Sequence, residues 1–181
     1  MNIKLIKADS EHQLLIKNMF VFYRYDLLPF QTDESSINKY GVIDEQSCKT
    51  HTEGVKDCDI LWTDPAVLPY IIRLDDKPIG FIIVKSAEHY PHVPVDYGLL
   101  EFFILNKYRK RGVGTKSISL LLKELPGKWE LAWLENNRVA EKFWKRTISC
   151  LTDSVQDFMQ LKDKDSDGNE IYTPGLRFEI K

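Results

Sequence analysis

Two neighbouring stretches hold residue types that could do chemistry. In "LLEFFIL", residues 99–105, a single carboxylate, Glu101, stands inside an otherwise apolar run. A carboxyl withdrawn from water holds its proton more tightly and becomes a better proton acceptor. At a strand edge in water, or beside a cation, Glu101 would be an ordinary ion. Just beyond, "YRKRGVGTKS" sets Arg109, Lys110 and Arg111 in front of Gly112 and Gly114. A glycine turn that feeds a helix offers unpartnered backbone N–H groups and the positive end of the helix dipole. Glycine also lets an anion approach the main chain with no Cβ in the way. On the residues alone the turn reads as a surface accident, a nucleotide site or a seat for some other phosphate.

Two familiar phosphate motifs fail here. The ATP-binding loop needs four residues between its first glycine and Gly-Lys-Ser/Thr, whereas Thr115 separates Gly114 from Lys116. The dinucleotide fingerprint needs a third glycine where Ser117 stands, and an early position in the chain.

Local patterning gives the secondary structure around these residues. "NIKLIKA" reads as a first strand. Asp9 or Ser10 can cap a helix in which Leu14, Leu15, Asn18, Met19, Phe22 and Tyr25 recur at helical spacing, and Pro29 ends it. Residues 30–60 read as a loop with one short helix. "YIIRLDDKPIGFIIVKS" is a β-hairpin turning at "DDKP". "LLEFFIL" reads as a strand buried on both faces. "GTKSISLLLKEL" repeats Ile118, Leu121, Leu122 and Leu125 on one helical face. "WELAWL" is a strand, and "NNRVAEKFWKRTI" a helix with Val139, Ala140, Phe143 and Trp144 inward. Two further strands close the chain around a polar tip. The class is α/β with a mixed sheet.

With those elements in place, Arg109-x-x-Gly112-x-Gly114 resembles the Arg/Gln-x-x-Gly-x-Gly/Ala signature of the GNAT acetyltransferases. "ENNRVAEKFW" resembles the same family's second block, Asn-x-x-Ala-x-x-aromatic-aromatic, with Asn137, Ala140, Phe143 and Trp144 in those places. The two blocks come in the family's order. "EFFILNKYRKRGVG", "PGKWE" and the "FW" pair look most like a group of uncharacterised bacterial predicted acetyltransferases, which names no substrate.

The resemblance implies a single domain over residues 1–181. Its fold would be a mixed, mostly antiparallel twisted sheet of about seven strands flanked by about four helices, with splayed central strands. It implies acetyl-CoA as cosubstrate and no metal. Phe103, Ile104 and Leu105 would offer backbone groups to the pantetheine arm. The amides of Arg109, Lys110, Arg111, Gly112, Val113, Gly114 and Thr115 would hold the pyrophosphate, and Asn137 would reach the arm from the last helix. Glu101 would act as base toward an amine, with the Ile104 amide aimed at the carbonyl oxygen. Tyr23, Tyr25 and Asp26 would line the acceptor side, Asp26 suiting a cationic amine. Many family members carry Tyr where this chain has Trp144, and that Tyr protonates the departing thiolate. An indole N–H is a far poorer acid, so Trp144 is read as a wall beside the cofactor arm.

The totals set the outer limits. The chain has 181 residues, with 43% apolar and 29% charged, as in ordinary globular domains. A net charge of −2 argues against a general nucleic-acid binder. Three cysteines without paired spacing form no disulfide framework, and the opening residues lack the apolar stretch of a signal peptide. A cytoplasmic setting with reduced thiols is the expectation, with no membrane partner, and a homodimer through a sheet edge is compatible with it. "DKDSDGNE" starts like a calcium loop, but its twelfth position is Pro174. His89 and His92, with His51 and Cys48 elsewhere, lack a zinc spacing. Two other readings stay open beside the transferase: a non-catalytic acyl-CoA-binding module and a nucleotide-phosphate binder.

Overall fold

A computed structural model describes residues 2–30, 37–43, 48–87, 95–164 and 170–181, with the backbone alone at 56, 57, 160–164, 170 and 171. Among the described residues seven strands form one sheet: β1 (Ile3–Lys7), β2 (Val67–Leu74), β3 (Lys77–Ser86), β4 (Tyr97–Ile104), β5 (Gly127–Ala132), β6 (Val155–Lys164) and β7 (Glu170–Ile180). Their order across the sheet is β1-β2-β3-β4-β5-β7-β6. Every neighbouring pair is antiparallel except β4 and β5. The β2–β3 turn places Asp75 (φ 47°) and Asp76 (φ 66°) in the left-handed region, the two-residue hairpin geometry that matches strand twist.

The described residues form five helices: α1 (Gln13–Leu27), α2 (His51–Gly54), α3 (Ile60–Thr63), α4 (Val113–Glu124) and α5 (Arg138–Ser149). The sheet separates two apolar clusters. On one face α4 and α5 bring Val113, Ile118, Leu121, Leu122, Trp144 and Ile148 against Ile82, Val84, Leu99 and Trp129. On the other, Ile16 and Met19 of α1, with Val55, Cys58 and Leu61, cover Ile71, Phe81, Ile83 and Phe103. Among the described residues no helix is long and apolar enough to cross a membrane.

Several sequence expectations need correction. The inward face of α1 is Ile16, Met19, Phe20 and Tyr23, whereas Leu14, Phe22 and Tyr25 are exposed. The run "MFVFY" is apolar at every position, so spacing alone selects no face. In α5 Val139 is 73% exposed, and Thr147 and Ile148 take the inner positions below Trp144. Residues 50–63 hold two one-turn helices instead of one. His89, His92 and the Asp165, Asp167 and Gly168 tip lie outside the described residues.

β4 is not simply buried on both faces. Ile83 pairs with Glu101 and its neighbour Val84 pairs with Leu99, so Leu100 is an extra residue, a β-bulge. Side chains alternate across a strand, so residues 99 and 101 would ordinarily share a face. The bulge breaks that parity. Leu99 joins the α4/α5 cluster with Val84, while Glu101 follows Ile83 to the α1 face. β4 also parts from β5 at this point. Residues 97–99 pair with 129–131, and 100–104 run on without a β5 partner.

Candidate functional site

The opening between β4 and β5 begins at the bulge, beyond which β4 runs on without a β5 partner. In an antiparallel ladder the N–H and C=O of one residue point to the same side, and successive residues alternate. The Leu105 amide bonds the Ile79 carbonyl, so residues 105, 103 and 101 direct their main-chain groups toward β3. Those of Ile104 and Phe102 face the opening. Leu105 has nothing to offer a ligand, since its carbonyl also accepts from the Tyr108 amide. Phe103 likewise turns its backbone to β3. Of the three expected residues Ile104 alone keeps an open N–H, and Phe102 is an addition that strand parity supplies once the register is known.

At the far end of the opening a short turn leads into α4. Lys110 (φ 59°) and Gly112 (φ 75°) both adopt left-handed backbone conformations. Gly112 is the N-cap of α4 and caps with no side chain. The first amide to find a partner inside the helix is that of Lys116, on the Gly112 carbonyl at 3.0 Å. The amides of Val113, Gly114 and Thr115 therefore point out of the helix end without intrahelical partners. The two glycines serve different ends. A Cβ on Gly112 would meet nothing within 4 Å, so its role is the left-handed φ. A Cβ on Gly114 would lie 3.0 Å from the Phe143 ring, so this glycine lets α4 and α5 approach. Thr115 and Thr147 hydroxyls meet at 3.3 Å across the same seam.

The three cations of the turn separate. Lys110 and Arg111 are exposed and carry no ion pair among the described residues. Arg109 turns inward: its Nε donates to the Ile104 carbonyl at 2.6 Å, its guanidinium pairs with Asp26, and it lies 5.4 Å from the centre of the Phe103 ring. Its amide closes a turn on the Asn106 carbonyl. Arg109 thus ties the end of α1 to the end of β4 and contributes no open amide or free charge to the turn. Asp26, expected to meet a cationic acceptor, is engaged by this arginine. Tyr25 is 64% exposed at the end of α1.

On the α1 face of the bulge, Glu101 accepts a hydrogen bond from the Tyr23 hydroxyl. Burial pushes the Glu101 carboxyl above its ordinary range, opposed by the Tyr23 hydrogen bond and by the charge of Arg24. Burial, with the neighbouring carboxylate, pushes the Tyr23 phenol well above its usual value. Tyr23 and Glu101, expected on separate grounds as acceptor wall and base, form one unit.

Asn137 caps α5, its Oδ1 accepting from the Ala140 amide at 2.9 Å. Trp144 is 5% exposed and packs against Phe102 (5.3 Å) and Phe143 (4.9 Å) in the core, a more interior place than a cleft wall. Among the described residues no group of three His, Cys, Asp or Glu side chains is arranged to hold a metal. The Arg109–Asp26 tie was invisible in the sequence, since the partners stand 83 residues apart and neither carries a motif for the other.

The comparisons with known proteins bear on this geometry. The model of the acetyltransferase (GNAT) family matches residues 33–148, which include the bulge, the turn and α5 up to Ile148. Among curated proteins none matches by sequence. An acetyltransferase from Thermus thermophilus superposes with a TM-score of 0.65 at 15% identity, covering 99% of this chain and 98% of that one. The PaiA N-acetyltransferase of Thermoplasma acidophilum, in complex with coenzyme A, gives 0.56 at 14% identity over 99% and 100%. Arabidopsis thaliana NAA60, with a bisubstrate analogue, gives 0.56 at 14% identity over 99% and 99%. At such identities these structures share the fold; the family model, which spans more than half of the chain, shows that the protein belongs to the GNAT acetyltransferase family.

Proposed function

We propose that the protein is an acetyl-CoA-dependent N-acetyltransferase that moves an acetyl group directly to a primary amine of a small molecule or peptide. The observation that carries the reading is the β4–β5 opening. It has unpartnered amides of an α4 turn at one end and a buried carboxyl at the other. The residues present fit the cosubstrate. The Val113, Gly114 and Thr115 amides, with Lys110 and Arg111 at the rim, suit a pyrophosphate. The Phe102 and Ile104 main chain suits an extended amide-bearing arm, as an added strand would. Acetyl-CoA, when bound, supplies an activated acetyl thioester.

The chain's own groups then divide the work. An amine attacks only when neutral, and Glu101, with its raised proton affinity, takes the proton that the attacking nitrogen sheds. The Ile104 N–H, fixed in the strand and facing the opening, stands ready to donate to a carbonyl oxygen that gains charge. The Ile104 carbonyl, in the next peptide unit, accepts from Arg109, which fixes the chain just beyond that amide. Trp144 stands where many family members have a Tyr and is buried, so it supplies no proton; a thiolate leaves without one. That substitution is also what favours the second reading, a non-catalytic acyl-CoA-binding module.

A free-thiol release assay with acetyl-CoA over aminoglycosides, polyamines, amino acids and peptides separates the two. Turnover with at least one amine is expected. Glu101→Gln should lower its kcat by about a hundredfold while coenzyme A affinity by calorimetry stays unchanged. Binding without turnover for the whole panel would instead establish the binding module.

A further inference from the structure

Glu101 is held from outside its own strand. The Tyr23 hydroxyl, on α1, donates to Glu101 Oε2 across 78 positions of sequence. The Tyr23 ring is fixed on several sides. It meets Phe20, Phe81 and Phe103 at centroid distances of 5.5, 5.7 and 5.9 Å, and Phe20 stacks on Phe81 at 4.9 Å. A phenol wedged among three rings has little freedom in χ1 or χ2, so its oxygen is held at one place, beside Glu101 Oε2. The other charge acting on the carboxyl is Arg24, also on α1, whose guanidinium is bonded to the Gly54 carbonyl of α2. From β3 the residue opposite Glu101 is Ile83, which does not titrate. The nearby Asp26–Arg109 pair belongs to the end of α1 and the turn.

We propose that Tyr23 is a positioning residue for the reaction base: it donates one fixed hydrogen bond to Oε2 of Glu101 and leaves Oε1 to take the amine proton. This rests on Glu101 being the base. The amine proton passes to Glu101 Oε1, and the Tyr23 proton stays on its own oxygen throughout. Because burial and the carboxylate hold the phenol well above its ordinary range, Tyr23 remains a donor at every working pH. In this role it is not an acid for the thiolate. The Tyr23 bond opposes the effect of burial on Glu101, keeping a buried carboxyl available in its ionised form.

The direct test follows the side-chain carboxyl carbon of Glu101 by 13C NMR through a pH titration. The proteins are full-length wild type and Tyr23→Phe, assigned with Glu101→Gln. Loss of the donor should move the Glu101 midpoint to higher pH. The acid limb of kcat/KM, with the amine that turns over fastest, should move with it. At neutral pH the rate should fall on the order of tenfold and recover as pH rises. In the Glu101→Gln background, Tyr23→Phe should have no further effect on rate. A purely structural Tyr23 would leave the midpoint in place and lower the rate equally at every pH, which overturns the proposal while Glu101 stands as base. Full activity in Glu101→Gln would remove the base reading and this inference with it. Should Tyr23→Phe not fold, wild type grown with 3-fluorotyrosine keeps the shape and makes the phenol a stronger donor. The midpoint must then move down, and an unchanged midpoint contradicts the proposal.

Discussion

Burying the Glu101 carboxyl makes the stability of the fold depend on pH, and the direction follows from its shift. Its proton affinity is raised in the folded state above the ordinary 4.5. Between that value and the folded one the folded chain binds more protons than the unfolded chain. The stabilisation is complete below the ordinary carboxyl range and is lost as pH rises through the folded value. Glu101→Gln removes this slope and still accepts from Tyr23. Its melting temperature should therefore exceed that of wild type at pH 8, and the gap should close as pH falls toward 4.5; calorimetric scans across that range decide it. At the turn, Gly112→Ala meets no atom but must hold a left-handed φ, a strain of about 1 kcal/mol. Gly114→Val drives a side chain into Phe143 and should cost about 1–3 kcal/mol. Denaturant titration of the two variants should place Gly114→Val below Gly112→Ala. At this scale the sequence was informative wherever a residue type was out of place. An acid in an apolar strand and glycines behind three cations both marked real features. The partner of each was not legible, because Tyr23 and Asp26 sit in a helix whose inward face the run "MFVFY" leaves undetermined.

The elements turn these residues into a site chiefly through β4. The run "LLEFFIL" announced a strand, but nothing in seven nearly uniform apolar positions announced a bulge at Leu100. The bulge has two consequences at once: it turns Glu101 toward α1, and it falls where β4 leaves β5. Deleting Leu100 would remove the bulge yet leave Glu101 opposite Ile83 on the α1 face, because residues 99 and 101 would then be consecutive. The outer strands are joined by another buried acid. Glu130 of β5, its side chain 8% exposed, accepts from Arg177 of β7 at 3.1 and 3.2 Å. Arg177 also lies 4.4 Å from the centre of the Phe158 ring on β6. Arg177→Met would leave the Glu130 carboxylate buried and alone. Because the arginine is itself partly in water, the expected loss is about 2 kcal/mol, below the range for fully buried pairs. Urea unfolding should register it, and a loss under about 0.5 kcal/mol, the scatter of ordinary surface changes, would refute the assigned role.

For the molecule as a whole, one sheet carries α1, α2 and α3 on one face and α4 and α5 on the other, and the β4–β5 opening lies between the two layers. Arg109 spans them, linking α1 through Asp26 to the β4 end and the turn before α4. The alternation of strand and helix, the two hairpins and the order of the two motif blocks made this architecture legible from sequence, since each rests on local patterning. The inward turn of Arg109 and the Tyr23–Glu101 bond depend on how α1 lies against β4, a long-range fact that no local pattern encodes. The proposed function stands or falls on whether the α4 turn and the adjoining β4 main chain grip coenzyme A. Titration of uniformly 15N-labelled protein with coenzyme A, followed amide by amide, decides it. The largest shifts are expected at Val113, Gly114, Thr115 and Ile104, with Leu105, already bonded to Ile79, moving little. Saturable binding that leaves the 113–115 amides unmoved would overturn it.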